Sequence, residues 1–362
     1  MPPSPLPRRL LRASPLLPAT LAALAAMLVA GCSGMPASWP SWPSGQAGQA
    51  APAGKSPAPG AKAVIAPEAP PAAPPAATAT VRPAEAAAAE PEGPPRKEFF
   101  FALTTGNRLI RFNAGQPGRL LSSVALSGLR PGEEILGIDF RVAPGKLYAL
   151  GRTGSESRLL LVDPASGKVS QVGSNPLFTP LIGSEFGFDF NPTVDRIRVV
   201  SDTGQNLRLH PDTGEVVDAD PASPGLEIDT PLAYDKTDRN AKLRPAIVAA
   251  AYTYNKKNEK ITTNFAIDAR AGTLVIQGSP EGDRPMVSPN TGRLRTVGPL
   301  GIGAAERVGF DIADLTGAAF ISVTRPGGNR STFHLVDLAT GRTTLLGTIG
   351  GSEAVRGISF EP

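Results

Sequence analysis

The chain has one cysteine and two histidines among 362 residues. A lone cysteine, Cys32, excludes an internal disulfide and any multi-cysteine metal site. The histidines, His210 and His334, fall near the ends of third strands in two repeats that stand two apart, and both read as turn residues rather than metal ligands. A Gly-x-Ser-x-Gly elbow, a glycine-rich phosphate loop and a zinc motif are all missing. No sustained helical stripe appears, because Gly or Pro interrupts most candidate windows. Acidic residues are absent from residues 1–31, where Arg8, Arg9 and Arg12 stand. Removing those three positives from the formal +4 leaves +1 for the rest of the chain. Nothing in that balance supports nucleic-acid binding, which needs a basic stripe, so no nucleic-acid partner is expected.

What is abundant is a repeat. Leu136-Gly137-Ile138-Asp139-Phe140 recurs as Phe186-Gly187-Phe188-Asp189-Phe190 and as Val308-Gly309-Phe310-Asp311-Ile312, with a degenerate copy at Arg356-Gly357-Ile358-Ser359-Phe360. Each full copy is followed by a turn, an apolar strand, a second turn and further strands, at the spacing of an all-β fold. Between Gly187 and Gly309 a unit lacks the signature; it fits Ile247–Tyr254, Ile261–Ile267, Thr273–Gln277 and Leu294–Val297. Phe99–Leu103, Arg108–Phe112 and Leu120–Leu126 are three strands lacking a first, and Gly357–Phe360 is a first strand lacking successors. Together they predict a five-bladed β-propeller of four-stranded blades, closed by pairing of the C-terminal strand with the N-terminal blade. A six-bladed ring or a two-sheet sandwich is the alternative. Pentapeptide turns such as Asp163-Pro164-Ala165-Ser166-Gly167 and Asp337-Leu338-Ala339-Thr340-Gly341 separate third from fourth strands, with Asp opening the turn and Gly closing it.

Two segments precede the repeats. Residues 1–31 read as a targeting leader, with an apolar run, Leu16 to Ala30, too short to span a bilayer comfortably. Leu28-Val29-Ala30-Gly31-Cys32 resembles the lipobox of bacterial lipoproteins, which implies lipidation at Cys32, a membrane anchor and an extracytoplasmic address. Ser33, where Asp would retain a lipoprotein at the inner membrane, resembles the outer-membrane sorting pattern. Residues 32–95 read as the lipidated cysteine and a disordered tether: 35 of the 63 residues from 33 to 95 are Ala or Pro, too few of them able to bury apolar surface to offset the entropy of ordering. Residues 96–362 are the repeat domain.

Two polar constellations are the candidates for chemistry. Repeat symmetry sets Asp139, Asp189 and Asp311 at one height around the ring, where they either bind a hard cation such as Ca²⁺ or cap the turns that follow them. Arg196, Arg198, Asn206 and Arg208 share adjacent strand faces. They either hold a carboxylate or sugar acid or pair with Asp195, Asp202 and Asp212 as a stabilising ladder. No catalytic residue is assigned and no cofactor is required by the sequence.

The stretch Gly187-Phe188-Asp189-Phe190-Asn191-Pro192-Thr193-Val194-Asp195-Arg196-Ile197-Arg198-Val199-Val200-Ser201, continuing through Gly204–Gly214, together with Pro245–Tyr254 and Val297–Gly301, resembles a bacterial family called domain of unknown function 4394. The resemblance spans about residues 98–361 and implies a propeller-like extracytoplasmic domain with no assigned activity. Residues 255–265 depart from it: Lys256, Lys257, Glu259 and Lys260 make a charged loop where the family has a Gly/Thr-rich one. The expected role is a membrane-anchored module that binds or scaffolds a protein or envelope glycan, with a hydrolase or lyase of envelope sugars as the alternative.

Overall fold

The computed structural model describes residues 93–362 apart from Asn175 and Phe178. The leader, Cys32 and nearly all of the expected tether lie outside the described residues.

Apolar residues alternate with turn-forming ones at strand spacing, and the described residues answer with twenty short strands and one 3-10 turn, Pro289–Thr291. The first blade begins with β1 (Phe99–Thr104), β2 (Arg108–Asn113) and β3 (Gln116–Ala125). Blade two is β4 (Glu134–Arg141), β5 (Lys146–Thr153), β6 (Glu156–Val162) and β7 (Val169–Gln171). Blade three is β8 (Phe186–Asn191), β9 (Arg196–Ser201) and β10 (Asn206–Leu209). Blade four holds β11 (Ala233–Tyr234), β12 (Ile247–Tyr252), β13 (Asn264–Asp268), β14 (Thr273–Gln277) and β15 (Arg293–Pro299). Blade five is β16 (Arg307–Ile312), β17 (Ala319–Thr324), β18 (Ser331–Val336) and β19 (Thr343–Thr348). The last strand, β20 (Val355–Phe360), pairs antiparallel with β1, Phe100 opposite Phe360 and Ala102 opposite Ile358, so the first blade reads β20-β1-β2-β3. The five-bladed propeller and its closure are as the repeats require.

Two blades depart from the expected four strands. In blade three the segment after the His210–Gly214 turn contributes a single bridge, Leu209 to Val216, rather than a fourth strand. In blade four the two-residue β11 adds in parallel to the outside of β15, an element that no repeat announces.

The core is five layers, one between each pair of neighbouring blades. Blades two and three bury Leu150, Leu159, Phe188 and Val199 together. Blades five and one share Phe100, Phe112, Phe320 and Phe333, with Phe100 and Phe320 ring centroids 5.0 Å apart in an edge contact. The layer between blades three and four, around Val200, Ile247, Val275 and Leu294, is the smallest of the five.

The inner strands β4, β8, β12, β16 and β20 surround the axis, and the repeated glycine permits their close approach. A Cβ on Gly187 would stand 2.7 Å from the backbone N of Ala250, and one on Gly137 would stand 2.7 Å from Phe188 Cβ. At that level the axis is nearly filled, with about 20 Å³ of open space. Below it, where the inner strands begin, ion pairs gather: Arg356–Glu134 at 2.6 Å, Arg152–Glu134 at 3.1 Å and Arg307–Glu185 at 3.7 Å. Above it, where those strands end, the aspartates lie.

Candidate functional site

Two residues beyond each inner-strand glycine, and beyond Ala249 in its place on β12, the side chain returns to the same face. The five equivalent positions are Asp139 on β4, Asp189 on β8, Ala251 on β12, Asp311 on β16 and Ser359 on β20. The polar members reach forward to the next blade. Asp139 Oδ2 accepts from the Phe190 N–H at 2.7 Å, Asp189 Oδ1 from Tyr252 at 2.8 Å, and Asp311 Oδ2 from Phe360 at 2.5 Å. Ser359 Oγ accepts from the Phe140 N–H at 3.1 Å and donates to Asp139 Oδ1 at 2.9 Å. Ala251 breaks the series. The Ile312 N–H, which an aspartate at position 251 would meet, is instead taken by Asp311 Oδ1 at 2.6 Å. The aspartates therefore do not cap the turns that follow them, as one sequence reading had it. They accept backbone N–H groups across the blade interfaces.

They also converge. One carboxylate oxygen from each of Asp139, Asp189 and Asp311 lies within 4.8 Å of the others, and all three residues are buried, Asp189 to 4 % exposure. Burial pushes Asp139 up to about 7 against the hydrogen bonds from Phe190 and Ser359. Burial, and then the neighbouring carboxylates, hold Asp189 and Asp311 well above the usual carboxylate range. The Oδ2 atom of Asp189 takes no hydrogen bond from any described residue.

Above the trio opens a cavity of about 760 Å³, walled by Phe140, Phe190, Tyr252, Tyr254 and Phe360. Six carboxylates line it: the trio, Asp195, Glu259 and Asp314, the last raised by burial to about 6. Its one cationic lining residue, Arg141, is already committed to Asp195 and Asp212. Arg141 answers Asp195 and Lys256 acts on Asp314, so the trio is left without an ion-pair partner among the described residues.

The second constellation folds as a ladder, with a different partner from those expected. Arg198 and Arg208 do not pair with Asp195, Asp202 or Asp212. Both bind Asp229, Arg198 through Nη1 at 2.5 Å and Arg208 through Nε and Nη2 at 2.8–3.1 Å. Asn206 Oδ1 accepts from Arg198 at 2.8 Å, and Arg198 also donates to Tyr252 Oη and Asn290 Oδ1. Arg196 stays outside the ladder and donates to the Asp195 carbonyl. Asp195 and Asp212 serve Arg141 instead, and Asp202 accepts from the Ser184 N–H.

Neither histidine joins a site. His210 does sit in its turn, where Nδ1 accepts from the Asp212 N–H. His334 is not a turn residue; it lies within β18 and bonds Thr332. Among the described residues the aspartate trio is the only cluster of metal-ligating side chains.

The sequence profile described as domain of unknown function 4394 matches residues 108–359. The chain belongs to this family. Among curated proteins none matches it. Solved structures similar to it include the nidogen/laminin complex (12 % identity, 73 % of this chain and 98 % of that one, TM-score 0.40). Others are a periplasmic gluconolactonase from Pseudomonas aeruginosa (11 %, 73 % and 99 %, 0.35) and TolB from Acinetobacter baumannii (13 %, 73 % and 66 %, 0.35). At these identities the likeness is one of fold alone. This family member's own residues must carry any statement about its chemistry.

Asp139, Asp189 and Asp311 were legible from the repeat. Ser359 was legible too, as the polar residue of the degenerate copy. Asp229 lies in a segment without a repeat partner, and Asn290 and Asp314 lie in turns, where a polar residue carries no site signal of its own.

Proposed function

We propose that this family member is a lipid-anchored, extracytoplasmic binding module whose axial cavity takes a hard divalent cation and, through it, the hydroxyl oxygens of an envelope glycan. The observation that carries the reading is the convergence of three buried carboxylates at the floor of an open cavity. Ca²⁺ takes six to eight oxygen ligands. The trio supplies part of that set, and Asp189 Oδ2 is unengaged, so the remaining positions face the cavity and are open to ligand oxygens. The aromatic wall of Tyr252, Tyr254 and Phe360 suits the apolar faces of a sugar. The lipobox-like Leu28–Cys32 and the Ala/Pro tether support the anchored address: acyl chains at Cys32 hold a protein to a membrane by burying methylenes at about 0.8 kcal/mol each.

Calorimetry of the full chain with CaCl₂, and then with peptidoglycan and lipopolysaccharide sugar fragments in the presence of Ca²⁺, tests the proposal. Ca²⁺ binding, glycan binding that EDTA abolishes, and loss of both in Asp189→Asn are the expected results. Glycan binding indifferent to EDTA and to Asp189→Asn overturns it.

One observation favours a second reading. A carboxyl raised to about 7, as Asp139 is, lies where a general acid works best, so a hydrolase or lyase of envelope sugars would draw on the same pocket. That reading requires turnover, with Asp139→Asn removing it while glycan binding persists.

A further inference from the structure

Beside the acidic cavity lies another of opposite character, of about 470 Å³. The loop between β12 and β13 divides them. Tyr254 and Glu259 face the acidic side, whereas Lys260, Ile261 and Thr262 face the second cavity. We propose that this second cavity is a binding site for a small organic carboxylate with an apolar body.

Four cations line it, Arg196, Arg198, Arg208 and Lys260, against one lining carboxylate, Glu281. Glu281 is turned to a neutral partner, accepting from Asn255 Nδ2 at 3.0 Å. On the floor, Arg198 and Arg208 share the single carboxylate of Asp229, whose side chain is 0 % exposed, with Arg198 at 2 %. Their other neighbours, Asn206, Asn290 and Tyr252, are neutral. Two guanidiniums on one carboxylate leave a net positive charge at the cavity floor, with Arg198 buried and Arg208 18 % exposed. An uncompensated buried charge is costly, and a ligand anion offsets it. Donors remain for that anion. Arg208 Nη1 makes no hydrogen bond to a described residue, and neither Arg196 nor Lys260 forms an ion pair among the described residues. Arg presents a planar fork suited to a carboxylate.

The walls specify the rest of the ligand. Val194 is 56 % exposed and Met286 75 % exposed, and with Ile261 and Val217 they supply the apolar side of the lining. A bare inorganic anion would leave that side wet. A carboxylate on an aliphatic or aromatic body covers it, and the volume lies within the range of small-molecule sites.

The test titrates the full chain with benzoate, its neutral isostere benzamide and the cation benzylamine, read by ligand-observed NMR and calorimetry. Benzoate is expected to bind with a Kd near or below about 1 mM. Benzamide is expected to bind at least tenfold more weakly, and benzylamine not to enter this cavity. Arg196→Gln/Lys260→Gln changes surface-accessible side chains outside the buried ladder, so it should fold normally and weaken benzoate tenfold or more. Arg208→Gln should do the same, with circular dichroism confirming the fold. Lys168→Gln, which removes an exposed cation on blade two outside both cavities, should leave benzoate binding unchanged. Equal affinity for benzoate and benzamide, benzoate binding unmoved by the double substitution, or no benzoate binding at about 10 mM each overturns the proposal.

Discussion

Single residues here act in opposite directions with pH. Asp139, Asp189 and Asp311 have folded-state pKa values raised by burial. Their contribution to stability is complete below the unfolded carboxyl value near 4 and is lost as pH rises through the folded values, for Asp139 about 7. The cation-free protein should therefore lose stability between about pH 4 and pH 7 by an amount on the order of 4 kcal/mol for Asp139 alone. Thermal melts across that range, with EDTA, should show a falling Tm in the native chain and a flatter profile in Asp139→Asn. Saturating Ca²⁺ at pH 8 should restore about 2.7 kcal/mol at one hundred times its Kd; a melt indifferent to pH and Ca²⁺ would count against an ionised, cation-seeking trio. Glu133 behaves in the other sense. Burial would raise it, but bidentate bonds from Arg158 at 2.6 Å and the Arg130 N–H hold it below the usual range, so its contribution is present at neutral pH and lost on acidification. Arg158→Met strands the Glu133 carboxylate, and urea denaturation at pH 7 should register a loss of about 3–5 kcal/mol.

At the scale of elements, β20 carries more than its length. Val355, Ile358 and Phe360 are buried in the layer between blades five and one, and the strand supplies the only neighbour β1 has on its inner side. Truncation after Ala354 should abolish the cooperative urea transition. A circular permutant that places Val355–Pro362 ahead of Phe99 through a short turn should recover it, because the Glu361 N–H already meets the Phe99 carbonyl at 2.9 Å. Phe333→Ala, by contrast, removes one ring from the same layer and should cost about 3–5 kcal/mol while leaving the transition cooperative. Blade count and closure were legible because the Gly-x-Asp phrase marks four of five inner strands, even with Ser359 in place of Asp. The blade without the phrase was found only by its spacing, and its Ala249 and Ala251 show why: the small residue at the axis is kept, and the carboxylate is gone. The fourth strand of blade three was over-read. Val216–Ala219 has the composition of a strand, but the chain turns away after Val217, where the Ala219 N–H bonds Glu227 instead. Asp229, which ends that excursion, could not be matched to Arg198 and Arg208, because a pairing across an irregular loop has no period to betray it.

For the whole molecule, the propeller presents two faces of different chemistry. At one end of the axis carboxylates crowd a cavity; at the other, arginines and glutamates pair, Arg356 with Glu134 at 2.6 Å and Arg307 with Glu185 at 3.7 Å, and burial raises Glu185 to about 7. Ligands are expected at the first end alone. If Cys32 anchors the chain as proposed, Cys32→Ser should move it from the membrane to the soluble fraction on cell fractionation while leaving Ca²⁺ affinity unchanged; membrane association that survives the substitution would remove the anchor from the proposal.

The antiparallel joint between β20 and β1 also fixes an order of events. The ribosome makes residues 99–125 well before residues 355–360, so the N-terminal blade waits for the four blades between before its inner strand exists. Until then β1 exposes an unpaired edge and the Phe100–Phe112 surface lacks its cover, the combination that invites strand addition by other chains. A nascent or interrupted copy thus keeps that edge open along its first blade, and residues 355–360 are the ones that close it.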